Sequence, residues 1–205
     1  MLCGKIVTVR VHFKRNGERR YSIVVERELA PAMTMQPAPG YDDFLPHDLL
    51  HFVAEAEWGI DDGVFGQLAA GGDAGTFWPT EQNVANKWKH RGERLRKAAT
   101  AMGRSEQLAA ALETSWRRRY GMPEKLHRRE TYELLASLSE TIDRIAPRLD
   151  ELARRWHALQ VGGVLTLDWP RAEGRSVRPK PSSASRGAPR DGAGSRARSG
   201  ARAHG

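Results

Sequence analysis

An alternating run places the first constraint on this chain. From Lys5 to Lys14, Val7, Val9, Val11 and Phe13 occupy every second position, with Thr8, Arg10 and His12 between them. A period of two sends successive side chains to opposite faces of a strand, one face for a core and one for water. Asn16-Gly17 follows, and then a second strand-like run from Tyr21 to Val25. Asn-Gly between two such runs is the signature of a type I′ hairpin turn, whose central residues both need positive φ. A β-hairpin is therefore expected first, and residues 30–45, with Pro31, Pro37, Pro39 and Gly40, read as a connector.

The period then changes to that of helices. Pro46 suits the first position of a helix running to about Trp58, with Gly59 past its end. Gly63 to Gly75 reads as a glycine-rich flexible loop, with one helical turn around Phe65–Ala70 and the reach to close over the preceding helix. Thr80 caps a helix through Met102, whose inward face would be Val84, Trp88, Leu95, Ala98 and Met102. Ser105 opens another, with Leu108, Leu112 and Trp116 at helical spacing and Gly121 at its end. Pro123 starts a third, bearing Leu134, Leu138, Ile142 and Ile145. Pro147 is expected to break or restart it before Leu149, Leu152, Trp156 and Leu159 continue the stripe. Gly162-Gly163 then releases the chain into a short strand, Val164 to Trp169. The expected fold class is α+β: a small antiparallel sheet, made of the N-terminal hairpin and the C-terminal strand, packed on four to five helices.

A net charge of +8 over 205 residues suggests an anionic partner, but the charge is unevenly placed. Residues 1–80 carry −4, 81–129 carry +8, 130–170 carry −3 and 171–205 carry +7. Residues 1–170 thus form a nearly neutral domain. The segment 171–205 is Arg, Ser, Gly, Ala and Pro, with Val177 its only aliphatic residue beyond alanine. It cannot offset the roughly 1–2 kcal/mol per residue that backbone ordering costs, and a disordered basic tail is expected. No apolar run approaches the ~18 residues of a membrane span, and Met1 to Lys5 lack an apolar leader core, so a cytoplasmic protein with no membrane partner is expected. Cys3 is the one cysteine, which excludes an intramolecular disulfide and any site with several Cys ligands.

Residues 40–80 hold eight acids, two histidines and no Lys or Arg, a local field that favours a cation. Within them stands His47-Asp48-Leu49-Leu50-His51-Phe52-Val53-Ala54-Glu55. On a helix, His47, His51, Glu55 and Asp48 share a sector about 100° wide, and most of the remaining surface is apolar. Histidines at i and i+4 can bind one Zn²⁺ or Fe²⁺ through neutral imidazoles, and Glu55 one turn on supplies a third ligand of suitable type. Asp48 could orient His51 or act as a base on bound water. A polar helix face in open solvent is the plainer account, although such faces normally mix in Lys or Arg. Glu57 falls on the apolar side, which calls for a helix end or a polar partner. Asp73, Asp62 and His90 are candidate fourth ligands.

The His47-Asp48-x-x-His51 pattern, followed by Gly66-Gln67-Leu68-Ala69, resembles the metal-binding signature of the Coq4 family of ubiquinone-biosynthesis proteins. The resemblance implies a metal at the histidines. Gln67 stands where that family has a glutamate ligand, the spacing is four residues longer, and the N-terminal hairpin is foreign to that mostly helical family. The order of hairpin, Leu-Pro-His-Asp helix, glycine-rich loop and closing Gly-Gly-Val-Leu-Thr-Leu-Asp-Trp-Pro segment is also similar to small bacterial proteins, a likeness that implies no activity.

The glycine-rich run is no phosphate loop, since no Gly-Lys-Ser/Thr follows and Asp73 stands where phosphates would approach. Two basic clusters, Lys87-Trp88-Lys89-His90-Arg91 and Trp116-Arg117-Arg118-Arg119-Tyr120, interleave cations with aromatics as single-stranded nucleic acid binders do. Trp88 and Trp116 also lie on the apolar stripes and so read as core. Two functions follow: a divalent-metal site on the 46–58 helix, hydrolytic or oxidative, or a non-catalytic interaction protein that reaches nucleic acid through its basic helices or tail.

Overall fold

The computed structural model describes residues 8–38, 45–81, 99–125 and 127–170. Val84, Trp88, Leu95, Ala98, the Lys87–Arg91 cluster and the basic tail lie outside the described residues, which all fall within one compact unit, Met1–Arg171. The fold is α+β. Five antiparallel strands, β1 (Val9–Arg15), β2 (Tyr21–Arg27), β3 (Ala30–Met35), β4 (Trp78–Pro79) and β5 (Val164–Asp168), form one sheet in the order β4-β3-β2-β1-β5. Five helices are described: α1 (His47–Trp58), α2 (Val64–Ala69), α3 (Ala99–Arg119), α4 (Arg129–Ser137) and α5 (Ser139–His157).

The hairpin forms where the alternation requires it, but not through a two-residue turn. Arg15 pairs with Tyr21, Phe13 with Ile23 and Val11 with Val25, leaving residues 16–20 as a loop. Backbone N–H groups of Asn16 and Gly17 both donate to the Arg20 carbonyl, and neither residue has positive φ. The core dictates this outcome. A turn confined to Asn16-Gly17 would set Phe13 opposite Arg20 and Val11 opposite Ser22, mixing polar and apolar side chains on one face. The longer loop places Val11, Phe13, Ile23 and Val25 together, each fully buried.

Residues 30–35 are a strand rather than a connector. Glu28 and Leu29 turn the chain, and Met33 and Met35 then pair with Val25 and Ile23 on the buried face. Pro31 is tolerated because it stands at the strand's start, and the pairing of β3 with β4 begins only at Met33. The Arg27 guanidinium, itself buried, binds the carbonyls of Pro31, Leu68 and Gly72 and so ties this turn to the end of α2.

The sheet buries Val9, Val11, Phe13, Tyr21, Ile23, Val25, Met33, Met35 and Leu165 on one face, while Arg10, Lys14 and Glu26 are exposed on the other. Phe13 meets Phe52 of α1 and Phe65 of α2 with ring centroids 6.3 and 6.1 Å apart, and Tyr21 meets Trp156 of α5. Each such ring contributes about 1.5–3 kcal/mol of transfer free energy, so α1 is held firmly against the sheet. Its Leu49, Phe52 and Val53 face that core, which leaves the histidine sector for a different neighbour.

That neighbour is α3. It is a single helix through Gly103 and Ser105, so Ser105 does not open a helix but lies buried in the middle of one. Arg129, not Pro123, begins α4. The break in the last helical stripe falls at Leu138, between α4 and α5, and α5 runs through Pro147 without interruption. The proline's missing N–H costs that helix one hydrogen bond, while Ile142, Ile145, Leu149, Leu152 and Trp156 keep its stripe buried. Trp116 is buried as expected, its indole donating to Asp150 at 2.9 Å. Among the described residues, no helix is long and apolar enough to cross a membrane.

Candidate metal centre

Helix α1 starts at His47, directly after Pro46, and stops at Gly59, whose φ of 63° is the left-handed cap a glycine supplies without strain. One helical turn therefore stacks His47 on His51, and the rings meet edge to face at 4.7 Å. Their Nε2 atoms lie 3.1 Å apart. Glu106 of α3 closes the group, with one carboxylate oxygen 3.5 Å from His47 Nε2 and the other 3.4 Å from His51 Nε2. The ligand atoms of these three residues all lie within 4.8 Å of one another. His51 is almost wholly buried, His47 a third exposed, and Glu106 60 % exposed, so the group opens to solvent on one side.

Glu55 and Asp48 are not brought to this point. Glu55 is fully buried and holds the N-terminus of α2: its Oε1 accepts the N–H of Val64 (2.7 Å), and its Oε2 accepts those of Phe65 (2.8 Å) and Gly66 (3.1 Å). Ser105 donates to Oε1 at 2.7 Å, and its oxygen lies 2.7 Å from His51 Nδ1. Burial pushes the Glu55 carboxyl above the usual range, while Ser105 and the three backbone donors oppose that rise. Asp48 accepts a 2.5 Å hydrogen bond from the Tyr21 hydroxyl, and burial together with this carboxylate raises the tyrosine well above its ordinary value. Of the suggested fourth ligands, Asp73 accepts the Gly75 N–H, the Asp62 backbone carbonyl accepts from the Gln67 side-chain amide, and His90 lies outside the described residues.

Helix periodicity placed His47 and His51 together, as found, and set Glu55 beside them as a third ligand. It could not choose between α2 and a metal as the partner of Glu55. Glu106 had no such signal, because it sits 55 positions beyond His51 on an element whose start was misplaced. The helical turn expected around Phe65–Ala70 is α2, Val64–Ala69, and Glu55 pins its start to α1. Glu57 does find a polar partner, Arg148 of α5.

The electrostatics couple the exposed members. His47, the largest influence, and the adjacent His51 ring hold Glu106 well below the usual carboxylate range, and Glu106 in turn raises His47 above its ordinary value. The Glu106 contribution to stability is present above pH 4.5 and is lost as pH falls through its depressed value. That of His47 is present below pH 6.5 and is lost as pH rises through its raised value. In metal-free protein, the melting temperature of the parent should therefore exceed that of Glu106→Gln most between about pH 4.5 and 6.5. The gap should close at higher pH and amount to a few degrees at most, because the carboxylate is half exposed. A gap that stays constant from pH 5 to 9 would contradict this coupling.

The basic cluster at the end of α3 is neutralised locally. Arg117 is bound to Glu113, Arg118 to Glu124 and Arg119 to Asp143, at 2.9, 2.7 and 2.9 Å. A cavity of about 650 Å³ flanks α3, lined by Trp58, Arg104, Gln107, Leu108 and Leu134 among others, and none of the three clustered residues lines it. Comparison with known proteins finds no matching family model, no matching curated protein and no matching solved structure.

Proposed function

We propose that the protein binds a divalent transition metal, Zn²⁺ or Fe²⁺, through His47 Nε2, His51 Nε2 and the Glu106 carboxylate. One observation carries this reading. The two Nε2 atoms lie 3.1 Å apart and each faces its own Glu106 oxygen, at 3.5 and 3.4 Å. These spacings are near the roughly 3.3 Å edge of a tetrahedron with bonds of ~2.0–2.1 Å, so that a small turn of the exposed carboxylate would set one oxygen against both nitrogens. Two imidazoles and a carboxylate suit both zinc and ferrous iron, and three protein ligands with an open side are the pattern of catalytic rather than structural sites. Such a metal would supply Lewis-acid or oxidative chemistry at its open positions. His51 and its buried surroundings fix one ligand rigidly, whereas His47 and Glu106 form the rim that a substrate would pass.

Metal analysis of protein purified without chelator, followed by zinc competition against a chromophoric chelator, tests the reading. The parent should hold close to one equivalent. His51→Ala and Glu106→Gln should each weaken zinc by more than the ~10–100-fold that loss of an outer partner brings. Trace metal in the parent, with no rise in melting temperature on adding zinc, would end it. Arg117, Arg118 and Arg119 are already bound to acids and have little to offer a phosphate backbone.

A further inference from the structure

The buried group behind His51 extends the metal reading and rests on it. Every hydrogen-bond partner of the Glu55 carboxylate is a donor: three backbone N–H groups and the Ser105 hydroxyl. A hydroxyl has one proton to give. Directed at Glu55, it leaves the Ser105 oxygen only its acceptor role toward His51 Nδ1, 2.7 Å away. His51 Nδ1 must then carry a proton, and the neutral ring keeps its lone pair on Nε2. Nε2 is the atom that faces His47 and Glu106.

From this chain of donors we infer that Ser105 and Glu55 are positioning residues of the metal site. They hold His51 in the one tautomer that can ligate through Nε2, and they tie metal occupancy to the N-terminal turn of α2. A ligating histidine that donates its other N–H is better oriented and more basic, and loss of such a partner typically weakens metal ~10–100-fold. The tie to α2 runs through the same atoms. A metal on Nε2 makes Nδ1–H a stronger donor to Ser105 and the Ser105 hydroxyl a stronger donor to Glu55, which fixes in place the carboxylate that holds the Val64, Phe65 and Gly66 amides. By linkage, whatever loosens that turn must also weaken the metal.

The test uses the full chain. In metal-free parent protein, ¹⁵N NMR of the His51 ring should show protonated Nδ1 and unprotonated Nε2 at a pH where the ring is neutral. Zinc competition should give Ser105→Ala a 10–100-fold weaker affinity, with Ser105→Thr, which keeps the hydroxyl, close to the parent. Added zinc should slow hydrogen exchange of the Val64, Phe65 and Gly66 amides in the parent and not in Ser105→Ala. A His51 ring protonated on Nε2, or undiminished zinc affinity in Ser105→Ala, overturns the positioning role even when the parent binds zinc. Failure of the parent itself to bind zinc overturns the metal reading and, with it, any role of Ser105 and Glu55 in affinity. The NMR result, read without metal, keeps the two failures distinguishable should Ser105→Ala not fold.

Discussion

Glu55→Ala is expected to cost on the order of 3–5 kcal/mol, a large part of the 5–15 kcal/mol that holds a typical domain together. The reason is what it strands. Three backbone N–H groups and one hydroxyl lose their acceptor at a position with no exposure to water. An unsatisfied buried polar group costs about 1–3 kcal/mol, and partial hydration of the vacated space limits the total. Glu57→Ala, two residues on, is the control: it removes only a partly exposed pair with Arg148 and should cost under about 1 kcal/mol. Urea unfolding followed by circular dichroism measures both, read from the midpoint at constant slope. A smaller loss for Glu55→Ala than for Glu57→Ala would refute the assigned role.

Gly63→Ala should be almost as damaging, for a steric reason. Gly63 has an ordinary φ of −74°, so alanine fits the backbone there. The added methyl carbon, however, would lie 2.3 Å from the Glu55 carboxyl carbon and within 2.7 Å of both its oxygens. Either the carboxylate leaves or α2 backs away, and both break the same hydrogen bonds. About 3 kcal/mol is expected, the upper end for overpacking. The double variant Glu55→Ala/Gly63→Ala should be scarcely less stable than Glu55→Ala alone, because the first change makes the room that the second needs. Additive losses would show that Gly63 acts through something other than Glu55. Gly103→Ala offers the contrast: it lies in helix α3 with nothing within 4 Å of the new methyl, and it should stabilise by up to ~1 kcal/mol.

Those two residues also mark how far the sequence alone could lead. Alternation around Val9, Val11 and Phe13 and the 3.6-residue spacing of α1 and α5 are local patterns, and the sheet's first two strands and those helices follow from them. The α1 polar sector was equally legible, down to the pairing of His47 with His51. What escaped were arrangements settled by distant partners. β3 was hidden because Pro31 reads as a breaker until a neighbouring strand shows that its start needs no N–H. The Asn16-Gly17 turn was overruled by a core that demanded a different register. Glu106 and Ser105 were invisible as site residues, since nothing in a helix's own period says which turn of another helix it will meet. Glu55 was expected as a third ligand from its place in that sector, yet its partners are amides that any sequence possesses.

The position of β5 has a consequence for the order in which the molecule is made. β1 lies between β2, which follows it in the chain, and β5, whose Thr166, 154 positions further along the chain, bonds to His12. One side of β1 is satisfied by a local hairpin within microseconds of the chain being free to move. Its other side waits for a strand about 150 residues further along the chain, a closure with a large entropic cost and correspondingly slow kinetics. Until then the unpaired edge of β1 is open to any passing strand. The interval between hairpin formation and arrival of β5 is therefore when a nascent chain most risks associating with another copy of itself.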